Sequence, residues 1–271
     1  MTETTTELRP YSVSSIDRYL RCPRQWALRY RGDPEDQQPR KEAPEHLRKG
    51  TALHAGMETA FRLAMEATSP PTPGVKMDVY REQAVEALRA SWIEQGLPRT
   101  FGTLDDAIGV LTRALEALPV LPPEAILGVE IEMREDTPAG HPFVLYIDVA
   151  FRTGDTLRIW DWKNSRKLKT PAALAADVQT NTYAHFLLAK HPWATRVLIG
   201  NYSLPLRNKV ELVSEPSWRE AATSRVDAVI GWIEADEVFA PRVSDACGEC
   251  YFKPECPAWN PNSPYGEIRS F

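Results

Sequence analysis

Leu157-Arg158-Ile159-Trp160-Asp161-Trp162-Lys163-Asn164-Ser165 is the stretch from which the fold is read. It is short, apolar and aromatic, and carries an acid and a lysine two residues apart. Side chains of a strand alternate faces, so Asp161 and Lys163 point the same way. A carboxylate and an ammonium on one face of a core strand are costly unless they are paired or bound to an ion. An isolated Asp-x-Lys reads as a structural salt bridge at a strand end; its neighbours decide between that and a site.

Working outward, residues 126–134, 143–152 and 156–162 read as three strands. Thr153-Gly154-Asp155 makes a tight turn that joins the second and third as an antiparallel hairpin. Asp148 lies inside Val144-Leu145-Tyr146-Ile147-Asp148-Val149-Ala150-Phe151, where an acid needs a partner. Glu130 stands similarly in the preceding strand, with Glu132 on the same face. Downstream, Thr170-Pro171 starts a helix expected to run to about Lys190, on which Gln179 and Tyr183 share a face at i, i+4. Strands at 196–203 and 209–214 and a helix at 216–237 follow.

Upstream, residues 1–11 are polar and expected to be unstructured, and Ser14 or Ser15 is the expected cap of a first helix through Ile16, Tyr19 and Leu20. Pro23 suits the first turn of a second helix, 23–30, with Trp26 and Tyr30 at i, i+4. Residues 32–44 read as a polar loop, and 45–67 as a helix that carries His54. Thr68-Ser69-Pro70-Pro71-Thr72-Pro73-Gly74 is a break, followed by helices at 77–95 and 104–118 that read as an insertion. The order of elements gives an α/β domain with a mixed sheet and helices on its faces.

The chain has 271 residues and a formal net charge of −5, which argues against bulk attraction to nucleic acid. Local basic runs remain: Arg18, Arg21, Arg24, Arg29 and Arg31, and then Lys163, Arg166, Lys167 and Lys169. No apolar stretch is long enough to span a membrane, and the start lacks a signal-peptide pattern, so a cytoplasmic protein is expected. Its four cysteines are Cys22, Cys247, Cys250 and Cys256. In a reducing compartment a C-x2-C-x5-C cluster with one distant cysteine points to metal rather than disulfides. Four thiolates suit zinc or a 4Fe–4S cluster, and spacing alone leaves the two open. No Gly-rich phosphate loop, dinucleotide fingerprint or H-E-x-x-H motif is present.

His54, Asp148, Asp161 and Lys163 form a set. Two carboxylates on neighbouring strands can converge, and an imidazole from a packed helix can complete an oxygen-rich shell for Mg²⁺ or Mn²⁺. Such an ion activates water and polarises a phosphodiester. Lys163 beside it can orient that water or stabilise charge on phosphorus.

The order His54, Asp148 in a hydrophobic strand, Asp161-Trp162-Lys163 and Gln179-Thr180-Asn181-Thr182-Tyr183 resembles the PD-(D/E)XK nuclease superfamily, and within it the RecB-like branch. Ser12-Val13-Ser14-Ser15 through Cys22-Pro23-Arg24 resembles that branch's N-terminal segment. The cysteine pattern resembles its iron–sulfur subset, which includes CRISPR-associated exonucleases and the AddB subunit of helicase–nucleases. The resemblance implies a restriction-endonuclease-like core. With it come a helical insertion and a cysteine-ligated cluster that joins the N- and C-terminal segments. One nuclease domain over 12–260 is expected: N-terminal helices 12–67, insertion 68–120, catalytic core 121–215, C-terminal helix and cysteines 216–260.

By the same resemblance His54, Asp148, Asp161 and the carbonyl of Trp162 ligate Mg²⁺ or Mn²⁺. Lys163 is the catalytic lysine, Gln179 and Tyr183 contact DNA or position the site, and Glu130 assists. Cys22, Cys247, Cys250 and Cys256 hold a 4Fe–4S cluster, with zinc as the alternative. The chain departs from the family pattern at Leu145, where a glycine often stands three residues before the strand Asp, and in using Asp161 where many relatives use Glu.

The expected function is a metal-dependent exonuclease acting on DNA, mainly single-stranded or with single-stranded ends, 5′→3′, in recombination, repair or DNA processing. It would work alone, as a homo-oligomer or beside a separate helicase or recombination partner. The rival expectation is a non-catalytic nucleic-acid-binding or redox-sensing iron–sulfur or zinc protein on the same fold.

Overall fold

The hairpin at residue 154 forms, and the sheet is built outward from it. The structure is a computed structural model that describes residues 10–31, 44–69, 72, 74–98, 103–250 and 252–263. Strands β2 (Pro142–Thr153) and β3 (Thr156–Lys163) pair antiparallel from Thr153↔Thr156 to Val149↔Trp160. Gly154 makes the turn with a φ of 62°, which glycine adopts without a Cβ penalty. With β1 (Ile126–Asp136), β4 (Arg196–Ser203) and β5 (Asn208–Val213), the sheet order is β1-β2-β3-β4-β5. β4 runs parallel to β3, and β5 antiparallel to β4. A parallel step needs a crossover, and α6 (Pro171–Ala175) with α7 (Val178–Lys190) supplies it. This is the mixed, helix-flanked sheet of a restriction-endonuclease-like α/β fold.

The single helix expected from Pro171 to Lys190 is therefore two. Asp177 ends the first and caps the second, its Oδ1 accepting from the Thr180 N–H at 2.8 Å. The Asn181 amide holds the break by donating to the carbonyls of Ala175 and Asp177 at 3.0 and 2.9 Å. Side chains that bond nearby backbone in this way compete with helix continuation. The cap of α1 (Val13–Arg21) is Ser12, closed into a box by Ser15, rather than Ser14 or Ser15. A 3₁₀ turn, Met77–Tyr80, precedes α4 (Arg81–Glu94). Backbone pairing of Val75 and Met77 with Val120 and Leu118 holds this segment out of α-geometry until Arg81.

The chain divides into two units. The larger comprises Pro44–Glu132 and Tyr146–Ala222. Here α3 (Glu45–Glu66), α4 and α5 (Thr103–Ala117) pack Leu53, Met57, Phe61, Leu88, Trp92, Leu111 and Leu115 into one apolar cluster with Trp160 and Trp162. Trp162 is fully buried, with its ring 5.3 Å from that of Phe61. The stretch read as an insertion thus contributes directly to this core. Gly56 lets α3 approach its neighbours: a Cβ there would lie 2.5 Å from Leu111 Cδ2 and 3.0 Å from the Ala84 carbonyl. Because side chains alternate, seating Trp160 and Trp162 in this cluster turns Asp161 and Lys163 to the other face, where α7 packs on β3 and β4.

The smaller unit comprises Met1–Ala43, Met133–Leu145 and Thr223–Phe271. Among its described residues, α1 and α2 (Pro23–Tyr30) gather aromatic rings: Trp26 stacks on Tyr11 and on Phe239, at 6.5 and 5.5 Å between centroids. Tyr11, placed by sequence in an unstructured tail, is bridged to Phe143 by backbone hydrogen bonds with Pro142 and Val144. Residues 1–9 of the expected tail lie outside the described residues, as do 32–43 of the polar loop and Pro70, Pro71 and Pro73 of the expected break. Among the described residues no helix is long and apolar enough to cross a membrane.

Candidate active site

The β2–β3 ladder ends at Val149↔Trp160, and the next position on each strand carries an acid. There a side chain takes over the backbone bond: the Trp162 N–H donates to Asp148 Oδ2 at 2.5 Å. Asp161 is buried, with the Lys163 ammonium 2.9 and 2.8 Å from its two oxygens. Asn201, opposite Asp161 in the parallel register, donates to Asp161 Oδ2 at 3.0 Å. Asn201 was not singled out from sequence. The available signal was the same as for Asp148, a polar residue inside an otherwise apolar strand.

His54 comes from the middle of α3. Its Nε2 lies 2.9 Å from the Trp162 carbonyl, which can only accept, so Nε2 carries the proton. Nδ1 then faces two acids, 3.8 Å from Glu130 Oε1 and 3.7 Å from Asp148 Oδ1. Glu130 reaches this place from a distorted backbone: its φ is 47°, in the left-handed region. A glutamate at positive φ is strained, and such strain collects at functional sites. Glu132, expected on the same face, is exposed.

Ligand atoms of His54, Glu130 and Asp148 lie within 4.8 Å of one another, the only such triplet of His, Cys, Asp or Glu among the described residues. His54 Nδ1 lies beyond hydrogen-bond distance of both acids. With Asp161 there are three carboxylates against one lysine. When His54 is neutral the set has two excess negative charges, which one divalent ion balances. A metal-ligating histidine usually donates its other N–H to a carbonyl or carboxylate, as Nε2 does here. The donor set therefore fits Mg²⁺ or Mn²⁺.

The titration of these groups reflects the same crowding. Burial lowers the His54 pKa, but Glu130, with the charges of Asp148 and Asp161, more than reverses this and lifts it to about 9. Asp148 is pushed up by burial and by Asp161 and Glu130, against the pull of His54 and the Trp162 N–H. Lys163 is lowered by burial but raised more by Asp161 and Asp148, so it remains an ammonium.

From α7, Gln179 donates to the Tyr183 hydroxyl at 2.8 Å. Burial raises the Tyr183 pKa, with further pushes from Asp161, Asp148 and Asp177, so it stays a neutral phenol. Tyr183 thus feels the charge of the carboxylates, whereas the Trp162 carbonyl has His54 as its partner. Lys169 of the second basic run is paired with Asp177.

The cysteines are brought together elsewhere, in the smaller unit. Cys22, Cys247, Cys250 and Cys256, all free thiols, line one cleft. Three sulfurs accept N–H bonds: Cys22 from the Arg242 backbone and Cys250 from Gln25, both at 3.3 Å, and Cys247 from the Ser244 backbone at 3.4 Å. One member of the first basic run, Arg24, turns inward here. Arg24 is buried, its pKa lowered by burial against the opposing charges of Cys256 and Cys22.

A family model described as the PD-(D/E)XK nuclease superfamily matches residues 10–257. The crystal structure of a "Putative exonuclease" from Eubacterium rectale is similar over 100% of this chain and 97% of that one, at 12% identity and a TM-score of 0.53. A second crystal structure, SSO0001, covers 78% of this chain and 95% of its own at 14% identity and a TM-score of 0.37. No curated protein matches the chain.

Proposed function

The chain belongs to the PD-(D/E)XK nuclease superfamily, and from that premise we propose that it is a metal-dependent DNA exonuclease acting on single-stranded ends, 5′→3′. The observation that carries the reading is the convergence of His54, Glu130, Asp148 and the Asp161–Lys163 pair where β2 and β3 stop pairing. A bound Mg²⁺ or Mn²⁺ would supply Lewis acidity and an activated water. His54, Glu130, Asp148 and Asp161 would hold it. Lys163, kept protonated by its acids, cannot take a proton from water; it places a positive charge beside the scissile phosphate and offsets charge growing there. Tyr183, a neutral phenol steadied by Gln179, offers a hydroxyl for a phosphate oxygen.

A preference for unpaired ends is supported by Tyr146, two residues before Asp148 on the same face of β2 and half exposed inside a strand whose neighbours are buried. An exposed ring there can stack on a base, which a paired base does not offer. The exonuclease activity named for the Eubacterium rectale protein agrees with an end-directed enzyme. Polarity, and a role in recombination or repair in the cytoplasm beside a separate motor protein or as an oligomer, rest on the sequence resemblance.

For the cysteine cleft we favour a 4Fe–4S cluster over zinc, as the resemblance of the cysteine pattern implies. Zinc–thiolate bonds of about 2.3 Å place sulfurs about 3.8 Å apart. No three ligand atoms among the cysteines come within 4.8 Å of one another. N–H bonds to the sulfurs and a buried guanidinium suit thiolates on a larger anionic cluster.

The test is digestion of single-stranded DNA labelled at either end, with Mn²⁺ or Mg²⁺, by protein purified without oxygen. Loss from the 5′ end, abolished by EDTA, by Asp161→Ala and by Lys163→Ala, is expected. No digestion by folded, metal-replete wild type would favour a non-catalytic DNA-binding protein instead.

A further inference from the structure

Asn201 is the one amide inside the apolar run of β4, 3% exposed and opposite Asp161. Its orientation is forced. A carboxylate accepts and does not donate, so Nδ2 must face Asp161 Oδ2, as it does at 3.0 Å. The carbonyl end is thereby turned away, and Asn201 Oδ1 is buried with no hydrogen-bond partner.

A buried amide with half its bonding capacity unmet is poor material for a core strand, where a β-branched apolar residue is favoured. Stability of the fold does not account for it; its effect on Asp161 does. Asp161 Oδ2 receives two donors, Lys163 at 2.8 Å and Asn201 at 3.0 Å, whereas Oδ1 has Lys163 alone at 2.9 Å. A carboxylate gripped on one oxygen by two donors from different strands cannot swing about its terminal torsion. Of the two donors, Lys163 is long and shared with both oxygens. Asn201 is short, buried and committed to one.

We propose that Asn201 is a positioning residue of the metal site: it locks the Asp161 carboxylate so that Oδ1 is offered to a divalent cation. The proposal rests on the metal-dependent reading of this site. Partners that orient ligating carboxylates are worth about 10–100-fold in metal affinity, which sets the expected effect.

The test is titration of the full chain with Mn²⁺ alone, free ion being read by electron paramagnetic resonance, together with thermal unfolding in EDTA. Wild type, Asn201→Val and Asp161→Ala are compared. Asn201→Val is expected to bind Mn²⁺ about tenfold or more weakly. Its metal-free Tm should stay within about 5 °C of wild type, because the lost bond and the relieved carbonyl offset each other. A role confined to the fold gives the opposite pattern, a lowered Tm with unchanged Mn²⁺ affinity, and overturns the proposal. If the Val variant does not fold, Asn201→Leu, which is close to Asn in shape and carries no donor, is read by the same criterion. Asp161→Ala separates the two levels. Mn²⁺ affinity lost there but kept in Asn201→Val overturns the role of Asn201 alone; affinity kept in both overturns the metal site itself.

Discussion

Asp148 and Asp161 end the same ladder with different partners, so changes around them should have different signatures. Asp148 is tied to a backbone N–H and faces His54, whereas Asp161 is held by Lys163 and Asn201. Replacing Lys163 with Ala removes positive charge from the reaction but no ligand. It should lower kcat by about 10²–10³-fold, the loss typical of one preorganised donor. Mn²⁺ binding should not weaken, and a metal titration beside single-turnover kinetics distinguishes this from a ligand's loss. The acid–base prediction concerns His54. Its folded pKa of about 9 lies above the ordinary 6.5, so the metal-free folded state holds a proton that the unfolded chain does not. That contribution to stability is complete below about 6.5 and is lost as pH rises through about 9. Asp148, also raised, acts in the same direction. The Tm in EDTA should fall across this range for wild type and fall less for His54→Gln; equal slopes in the two proteins would contradict the assignment.

Two helices add His54, Gln179 and Tyr183 to the side chains that the strands supply, and each depends on one local feature. α7 begins at Asp177, which caps it through Thr180 and pairs with Lys169. Asp177→Ala should cost about 1 kcal/mol, the usual worth of such a cap. Nuclease activity should fall further than that loss of stability explains, because Gln179 and Tyr183 lie in the first turns of the helix. α3 is seated by Gly56, two residues from His54. Gly56→Val would force branched carbon against Leu111 and the Ala84 carbonyl, for a loss of about 1–3 kcal/mol. A Tm for Gly56→Val equal to wild type, measured by calorimetry, would show that α3 can shift without cost. The break between α6 and α7 was not legible from sequence, because Thr170-Pro171 and the pattern to Lys190 suit one helix. Asp177 reads as a cap only once its side chain is seen bonded to Thr180.

At the scale of the whole molecule, the cysteines from the two ends of the chain meet in the smaller unit, and a metal cluster there would close the longest loop the sequence contains. Closing a loop that long costs chain entropy, which metal binding offsets. Cys22→Ser should therefore lower the Tm of anaerobically purified protein and abolish its visible absorption. Iron analysis should give about four irons per chain for wild type. One zinc per chain and no iron would replace the cluster with a zinc site.

The hairpin and the mixed, helix-flanked sheet were legible in sequence alone, and His54, Asp148, Asp161, Lys163, Gln179 and Tyr183 were singled out there as candidates. Burial makes polar residues in apolar runs conspicuous, and strand alternation assigns them to a face. The four cysteines stood out as a candidate metal set because three are clustered and one is left over. Tertiary structure alone decided which atoms meet. It brought Glu130 to His54 through a positive φ that no glycine signals, and it set Asn201 against Asp161 through the register of two strands forty residues apart. It also turned Arg24 of the first basic run inward to the cysteines, and packed the helices read as an insertion against the core. Periodicity is a property of neighbours along the chain. Register, backbone distortion and ring packing depend on contacts between distant segments, which no local pattern records.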